Sequence, residues 1–142
     1  MSENVLIIPD DTVSISNRCY CGRNDFTEAI IPDSVTDIGV GAFAECTALE
    51  KIVLPAGMER IRKELFSGCT ALKEIMIPDG VSTIGEWAFR NCSSLGAVII
   101  PESVTEIAAE AFLSCPGITI YAEPGSYAES FARKYDIPTV RE

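Results

Sequence analysis

Cysteines are the residues whose spacing in this sequence most readily suggests chemistry. Four of them recur at intervals of 23 residues, at Cys46, Cys69, Cys92 and Cys115. If successive 23-residue units stack about 4.8 Å apart, their side chains form a ladder. Such a ladder can hold reduced thiols packed as small apolar groups, disulfides between neighbouring rungs, or metal ligands. Because parallel side chains point the same way and do not converge on one ion, we expect reduced thiols in the core.

Two further cysteines lie near the N-terminus as Cys19 and Cys21. Cys19 aligns with Ala42, a predicted core position, whereas Cys21 aligns with positions that mostly face outward. Basic neighbours such as Arg18 and Arg23 favour reaction of a thiol with oxidants, so a redox role for Cys21 is one hypothesis. An exposed thiol without a role is the simpler interpretation.

Carboxylates form a second periodic set, one residue after each repeated proline. They are Asp10, Asp33, Asp79 and Glu102, and Ala56 interrupts the series. Calcium needs six or more converging oxygens, and the repeat supplies about one per unit, so we expect solvated turns. The chain has no histidine, the commonest general base and metal ligand. The sequence therefore predicts no enzyme, no cofactor, no metal site and no small-molecule substrate.

Charge and hydropathy narrow the partners further. The 142 residues include 11 basic and 21 acidic side chains, giving a net charge of -10. A surface with this excess of negative charge repels phosphate groups and cannot gain affinity by displacing the cations bound to them. This argues against nucleic acid and anionic membranes as partners. No apolar stretch approaches the ~20 residues of a membrane-spanning helix, and the first residues lack the features of a secretory signal. As it stands the sequence predicts a cytoplasmic protein, or a secreted or cell-surface protein if an export signal has been removed.

The elements that position these side chains follow the same 23-residue repeat. Within the unit from Ile77 to Ile100, Ile84, Phe89 and Cys92 have the spacing of one face of a short helix, and Val98 alternates with Ile99 as in a short strand. The Val81–Ile84 segment is compatible with a second extended stretch, but its spacing of three does not decide between a strand and a turn. The repeated proline lies at Pro9, Pro32, Pro55, Pro78 and Pro101, and the repeated aromatic residue at Tyr20, Phe43, Phe66, Phe89 and Phe112.

One such unit cannot bury its apolar side alone, so stacking of units must build the core. We expect a single domain over residues 1–142, with coils at about 9–31, 32–54, 55–77, 78–100 and 101–123 and a cap at 124–142. Tyr127, Phe131 and Tyr135 are spaced by four, which predicts an amphipathic helix that covers the last coil. The strand from Val5 to Ile8 is expected to be uncapped.

The motif I-P-x-x-V-x-x-I-G-x-x-A-F-x-x-C-x-x-L occurs from Ile31 to Leu49 and again from Ile77 to Leu95. It resembles the BspA-like leucine-rich repeats, a bacterial type also found in protists, and the segment from Ile118 to Pro138 is similar to the closing segment of that family. The resemblance implies an α/β repeat fold: a right-handed solenoid with a parallel β-sheet on its concave side, short helical turns on the other side and a C-terminal helical cap. It also implies a non-catalytic, often adhesive, protein-binding role.

Outward positions of the strands supply the candidate binding residues. If the flanking strand residues face the core, a row of five apolar side chains faces out, consisting of Ile7, Ile30, Val53, Met76 and Ile99. Contiguous apolar surface marks a binding or assembly contact, although parallel sheets are usually covered on both faces. Trp87 stands where other units have Gly41, Glu64 and Glu110, and is either an interface anchor or packed along its own turn.

Two functions follow from this row. The first is a protein-interaction module that presents the sheet to a protein partner. The alternative is a structural protein that self-assembles through the sheet face or through the edge of the N-terminal strand.

Overall fold

The computed structural model describes residues 4–141, which form about six turns of a parallel β-solenoid. Each coil contributes a longer strand, and five coils add a two-residue strand. The longer strands are β1 (Val5–Ile7), β3 (Glu28–Ile30), β5 (Lys51–Val53), β7 (Glu74–Met76), β9 (Ala97–Ile99) and β11 (Thr119–Ala122). The short strands are β2 (Ser14–Ile15), β4 (Asp37–Ile38), β6 (Arg60–Ile61), β8 (Thr83–Ile84) and β10 (Glu106–Ile107). Helix α1 (Tyr127–Lys134) and strand β12 (Thr139–Arg141) follow the coils.

Strand pairing is parallel and repeats the 23-residue period, as in Ile7 opposite Ile30 and Ile30 opposite Val53. The last full strand is an exception, because Thr119 pairs with Ala97 at an offset of 22 residues. The longer strands pair in two groups, β1-β3-β5 and β7-β9-β11-β12. Within residues 4–141 no register therefore joins β5 to β7, and the sheet is interrupted between these two coils.

Aromatic rings stack along the interior of the solenoid. Centroids of consecutive rings from Tyr20 through Phe43, Phe66 and Phe89 to Phe112 lie between 5.2 and 6.0 Å apart, with interplanar angles below 20°. Offset stacking of this kind adds to the apolar area that each ring buries. Tyr20 is the first ring of the stack. The guanidinium of Arg23 lies 5.6 Å from the centroid of the Tyr20 ring.

The segments that follow the short strands are hydrogen-bonded turns, and the short helical turns expected there are not confirmed. Their N–H groups bond three residues back, as from Ala88 to Gly85 and from Cys92 to Phe89. Two residues adopt left-handed backbone in each of the first four of these segments, such as Trp87 at φ 58° and Asn91 at φ 62°, and one does so in the fifth, Ser114. A right-handed helix does not continue through such residues, so each segment remains a series of short turns.

The predicted C-terminal helix is confirmed as α1. The Ser126 hydroxyl accepts a hydrogen bond from the Glu129 N–H at 3.2 Å, which begins the helix with a side-chain cap. Phe131 is buried with its ring 6.2 Å from that of Phe112, so the helix covers the last coil. The sequence did not predict β12, which pairs with β11 and extends the sheet.

Candidate functional site

The candidate site is the outer face of the sheet formed by the longer strands. In each three-residue strand the middle residue points into the core, so the third residue points outward. Ile7 is 77% exposed, Met76 65%, Ile30 49% and Val53 46%, while Ile99 is half-buried. Nothing in residues 4–141 covers this row, so the alternative of cover by the chain itself does not hold for the described residues.

The structure adds two residues to the row that the sequence analysis missed. Tyr121 lies opposite Ile99 and Val140 lies opposite Tyr121. Tyr121 escaped notice because β11 is one residue out of phase, and Val140 because β12 belongs to no repeat. We call the seven side chains together the apolar row: Ile7, Ile30, Val53, Met76, Ile99, Tyr121 and Val140.

A groove follows the interruption of the sheet between β5 and β7. Its first part has a volume of about 550 Å³ and is lined by Val53, Met76 and Ile99, with Lys51 and Glu74 at one side. A second part of about 700 Å³ continues over Met76 and Ile99 at the carboxyl ends of the strands. We call the two parts together the sheet groove, since they share these residues and lie on the same face.

Carboxylates line one rim of the sheet groove. Asp79, Glu102 and Glu123 are exposed and line the groove, and none of them forms an ion pair within residues 4–141. Asp33, from the same repeat position as Asp79 and Glu102, accepts a hydrogen bond from the Ala56 N–H at 3.0 Å. The arrangement is an apolar floor with an acidic edge.

Trp87 does not join the apolar row. It lies in the turn segment after β8, half-buried, with the Lys63 Nζ 5.2 Å and the Arg90 Cζ 4.9 Å from its ring centroid. Both distances are within the range of cation–π attraction. Its ring therefore contacts cations of its own chain, on a different part of the coil from the sheet.

The four periodic cysteines form the expected ladder of buried thiols. Each thiol donates a hydrogen bond to the carbonyl of the aromatic residue in the preceding coil, as from Cys69 to Phe43 at 3.1 Å and from Cys92 to Phe66 at 3.1 Å. Burial raises the pKa of the Cys46 thiol to about 12, and it raises that of Cys69 as well. All six cysteines are free, so the disulfide alternative is wrong.

The N-terminal cysteines differ from expectation. Cys19 is exposed instead of buried, because no described coil packs on the outer side of the first turn segment, and Cys21 is half-buried. Arg23 forms an ion pair with Asp25 at 2.7 Å and lies over the Tyr20 and Phe26 rings. Its charge is therefore engaged away from Cys21, which weakens the redox hypothesis.

Among residues 4–141, no group of three or more cysteine, aspartate or glutamate side chains has a geometry that would hold a metal ion. The single helix among residues 4–141 is α1, and its eight residues are too few to cross a membrane.

Comparison with protein families gives the identity of the repeat. A family described as the BspA type leucine rich repeat region matches residues 3–125 in six copies. The chain belongs to the BspA-type leucine-rich repeat family. Leucine-rich repeat solenoids are in general non-enzymatic scaffolds whose extended surfaces bind other proteins. A search of curated proteins finds no match.

Solved structures of leucine-rich repeat proteins share this fold. A leucine rich cell surface protein from Faecalibacterium prausnitzii is 32% identical over 90% of this chain, with a TM-score of 0.85. A leucine-rich repeat protein from Bacteroides ovatus is 37% identical over 85% of this chain, with a TM-score of 0.79. The leucine rich repeat protein of T. pallidum is 31% identical over 84% of this chain, with a TM-score of 0.80. This chain spans 34%, 34% and 58% of those three chains, in the same order.

Proposed function

We propose that this BspA-type repeat chain is a protein-binding module whose sheet groove and apolar row contact another protein. The observation that supports the proposal is the row itself, where Ile7, Met76, Ile30 and Val53 each expose about half or more of their side chains. Contiguous exposed apolar surface on a soluble fold marks an interaction site. Burying such side chains against a partner contributes ~25 cal/mol for each Å² removed from water.

The proposal also covers where the protein acts and the hand of the solenoid. One similar protein is described as a cell surface protein, which supports a role at the bacterial surface, including adhesion, for the protein that contains this chain. We also infer that the coils wind in the right-handed sense, because parallel strands joined by crossovers do so in about 98% of cases.

The test places a charge in the apolar row. The variants are Val53→Lys and Met76→Lys, and the matched control is Leu113→Lys, because Leu113 is 49% exposed but lies in a turn segment outside the sheet. A photo-reactive amino acid at position 76 first captures a partner, which is then purified. We expect the Kd for the purified partner to rise about tenfold or more in the row variants and to be unchanged in the control.

Two results would contradict the proposal. One is an affinity for the purified partner that neither row variant changes. The other is a wild-type dimer in light scattering that Met76→Lys converts to monomer, because the apolar row would then be a contact between copies of the chain, as the self-assembly alternative predicts.

A further inference from the structure

We propose that the sheet groove binds an amphipathic α-helix of the partner, with its apolar stripe on the row and lysine or arginine residues against the acidic rim. This inference rests on the proposed function and names the chemistry of its partner. It follows from two independent features of the groove: the spacing of the apolar side chains and the sign of the charges beside them.

The spacing of the row fits a helix. Met76, Ile99 and Tyr121 lie on paired strands of three successive coils, so their side chains repeat at about 4.8 Å along the solenoid, and Val53 lies on the preceding coil across the interruption of the sheet. Side chains on one face of a helix lie about 5–6 Å apart at i, i+3 and i+4. Side chains on one face of an extended strand lie about 6.8 Å apart, two residues at about 3.4 Å each. A helix of about seven residues, roughly 10 Å long, would span these three coils in near register, and a longer helix would continue toward Val53.

The charges select a basic partner. The carboxylates of Asp79, Glu102 and Glu123 stand at successive coils along the same rim, and their charges are not neutralised by ion pairs within residues 4–141. On the other side of the row, the first residues of β3, β5 and β7 are Glu28, Lys51 and Glu74. This side therefore carries one cation, with a carboxylate on the strand before it and on the strand after it. A partner helix with basic residues beside its apolar stripe would neutralise the rim at one coil after another.

The same charges disfavour a second copy of this chain as the occupant. Each copy carries a net charge of -10, so two apolar rows brought together would also bring two acidic rims together. Like charges that face each other across an interface weaken association and suppress the wrong partner. A basic helix gains from the charges that two copies would have to overcome.

The probes for the experiment are three synthetic peptides of about 18 residues, long enough to form a helix on binding. The first carries leucine at i, i+3, i+4 and i+7 with lysine elsewhere. The second has the same composition in scrambled order, without an apolar stripe, and the third has glutamate in place of lysine. Binding to the full chain is followed by fluorescence anisotropy at about 50 mM and 300 mM salt.

We expect the amphipathic lysine peptide to bind about tenfold or more tightly than the scrambled peptide, and the glutamate peptide not to bind. Met76→Lys should weaken binding of the lysine peptide about tenfold, and Leu113→Lys, with the same change in charge, should leave it unchanged. The triple variant Asp79→Asn, Glu102→Gln, Glu123→Gln should reduce its salt dependence, because three rim charges are then absent. Melting curves verify that each variant is folded.

Equal binding of the amphipathic and scrambled lysine peptides, or equal weakening by Met76→Lys and Leu113→Lys, would overturn the inference, because the attraction would then be a general one to an acidic protein. Binding of the glutamate peptide would also overturn it. None of these results touches the proposed function, which fails if the row variants leave the affinity for the purified partner unchanged or if Met76→Lys converts a wild-type dimer to monomer. The two failures are therefore distinguishable.

Discussion

Replacement of Gly85 by alanine tests how rigidly neighbouring coils stack. A Cβ atom at this position would lie 2.8 Å from the backbone nitrogen of Lys63 and 3.1 Å from the carbonyl oxygen of Ile61. Ordinary contacts of a Cβ atom begin at 3.4 Å. The same glycine donates its N–H to the Ile61 carbonyl at 2.8 Å, and β8 pairs with β6 beside it. Relief of the overlap therefore requires two hydrogen-bonded coils to separate by about half an ångström.

The magnitude follows from two opposing effects. Overpacking of a close contact costs about 1–3 kcal/mol. Loss of backbone freedom in the unfolded chain favours alanine by about 0.4–1 kcal/mol. We therefore expect Gly85→Ala to lower the free energy of unfolding by about 1–2 kcal/mol and Tm by about 2–8 °C.

Gly117→Ala is the matched control. Gly117 has no heavy atom within 4 Å of its Cβ position and no left-handed φ, so only the unfolded-state effect remains. We expect this variant to gain about 0.4–1 kcal/mol. Both variants are compared by calorimetry and by the fluorescence of Trp87, which lies two residues from Gly85 and reports on the altered coil.

The reasoning would be refuted if Gly85→Ala were as stable as the wild type while Gly117→Ala showed its gain. The stacked coils would then separate at little cost, and the close backbone approach would not be the reason for glycine at position 85. Divergence of the two probes would mean that coils unfold separately, as repeat proteins can.

Three further predictions concern single groups. Ser67→Ala should be neutral or stabilise the fold by about 1 kcal/mol in urea titration, because the buried Ser67 hydroxyl has no hydrogen-bond partner within residues 4–141, and lower stability would contradict this. A thiol reagent at neutral pH should label two cysteines, Cys19 and Cys21, in the native state and the other four only after unfolding, since burial raises the pKa of Cys46 to about 12. The Gly125 N–H and two arginines lower the pKa of Glu129 below its usual 4.5, so its contribution to stability is present above that pH and is lost as the pH falls through the lower folded value. Glu129→Gln should therefore flatten the fall of Tm between pH 7 and acid, and an unchanged profile would count against that role.

The repeat made the architecture predictable because every coil buries the same kinds of residue at the same positions. A proline, an alternating strand and a buried aromatic residue recur at fixed spacing, so Ile52 and Ile75 had to face the core if Val53 and Met76 faced out. The helical period of Tyr127, Phe131 and Tyr135 likewise predicted α1. The backbone of the turn segments was less predictable, because Gly68 and Asn91 adopt a left-handed φ that the spacing of the apolar residues does not reveal.

By itself the sequence determined the 23-residue period, the cysteine ladder, the direction of the apolar row and the terminal helix, since each depends on neighbours within one coil or on strict repetition between coils. Only the tertiary structure decided that each thiol bonds a carbonyl of the coil before, that Tyr121 and Val140 prolong the row, and that the sheet opens between β5 and β7. These features depend on the register and fit of one coil against the next, and that fit is set by contacts between residues about 23 positions apart and not by the pattern within any unit.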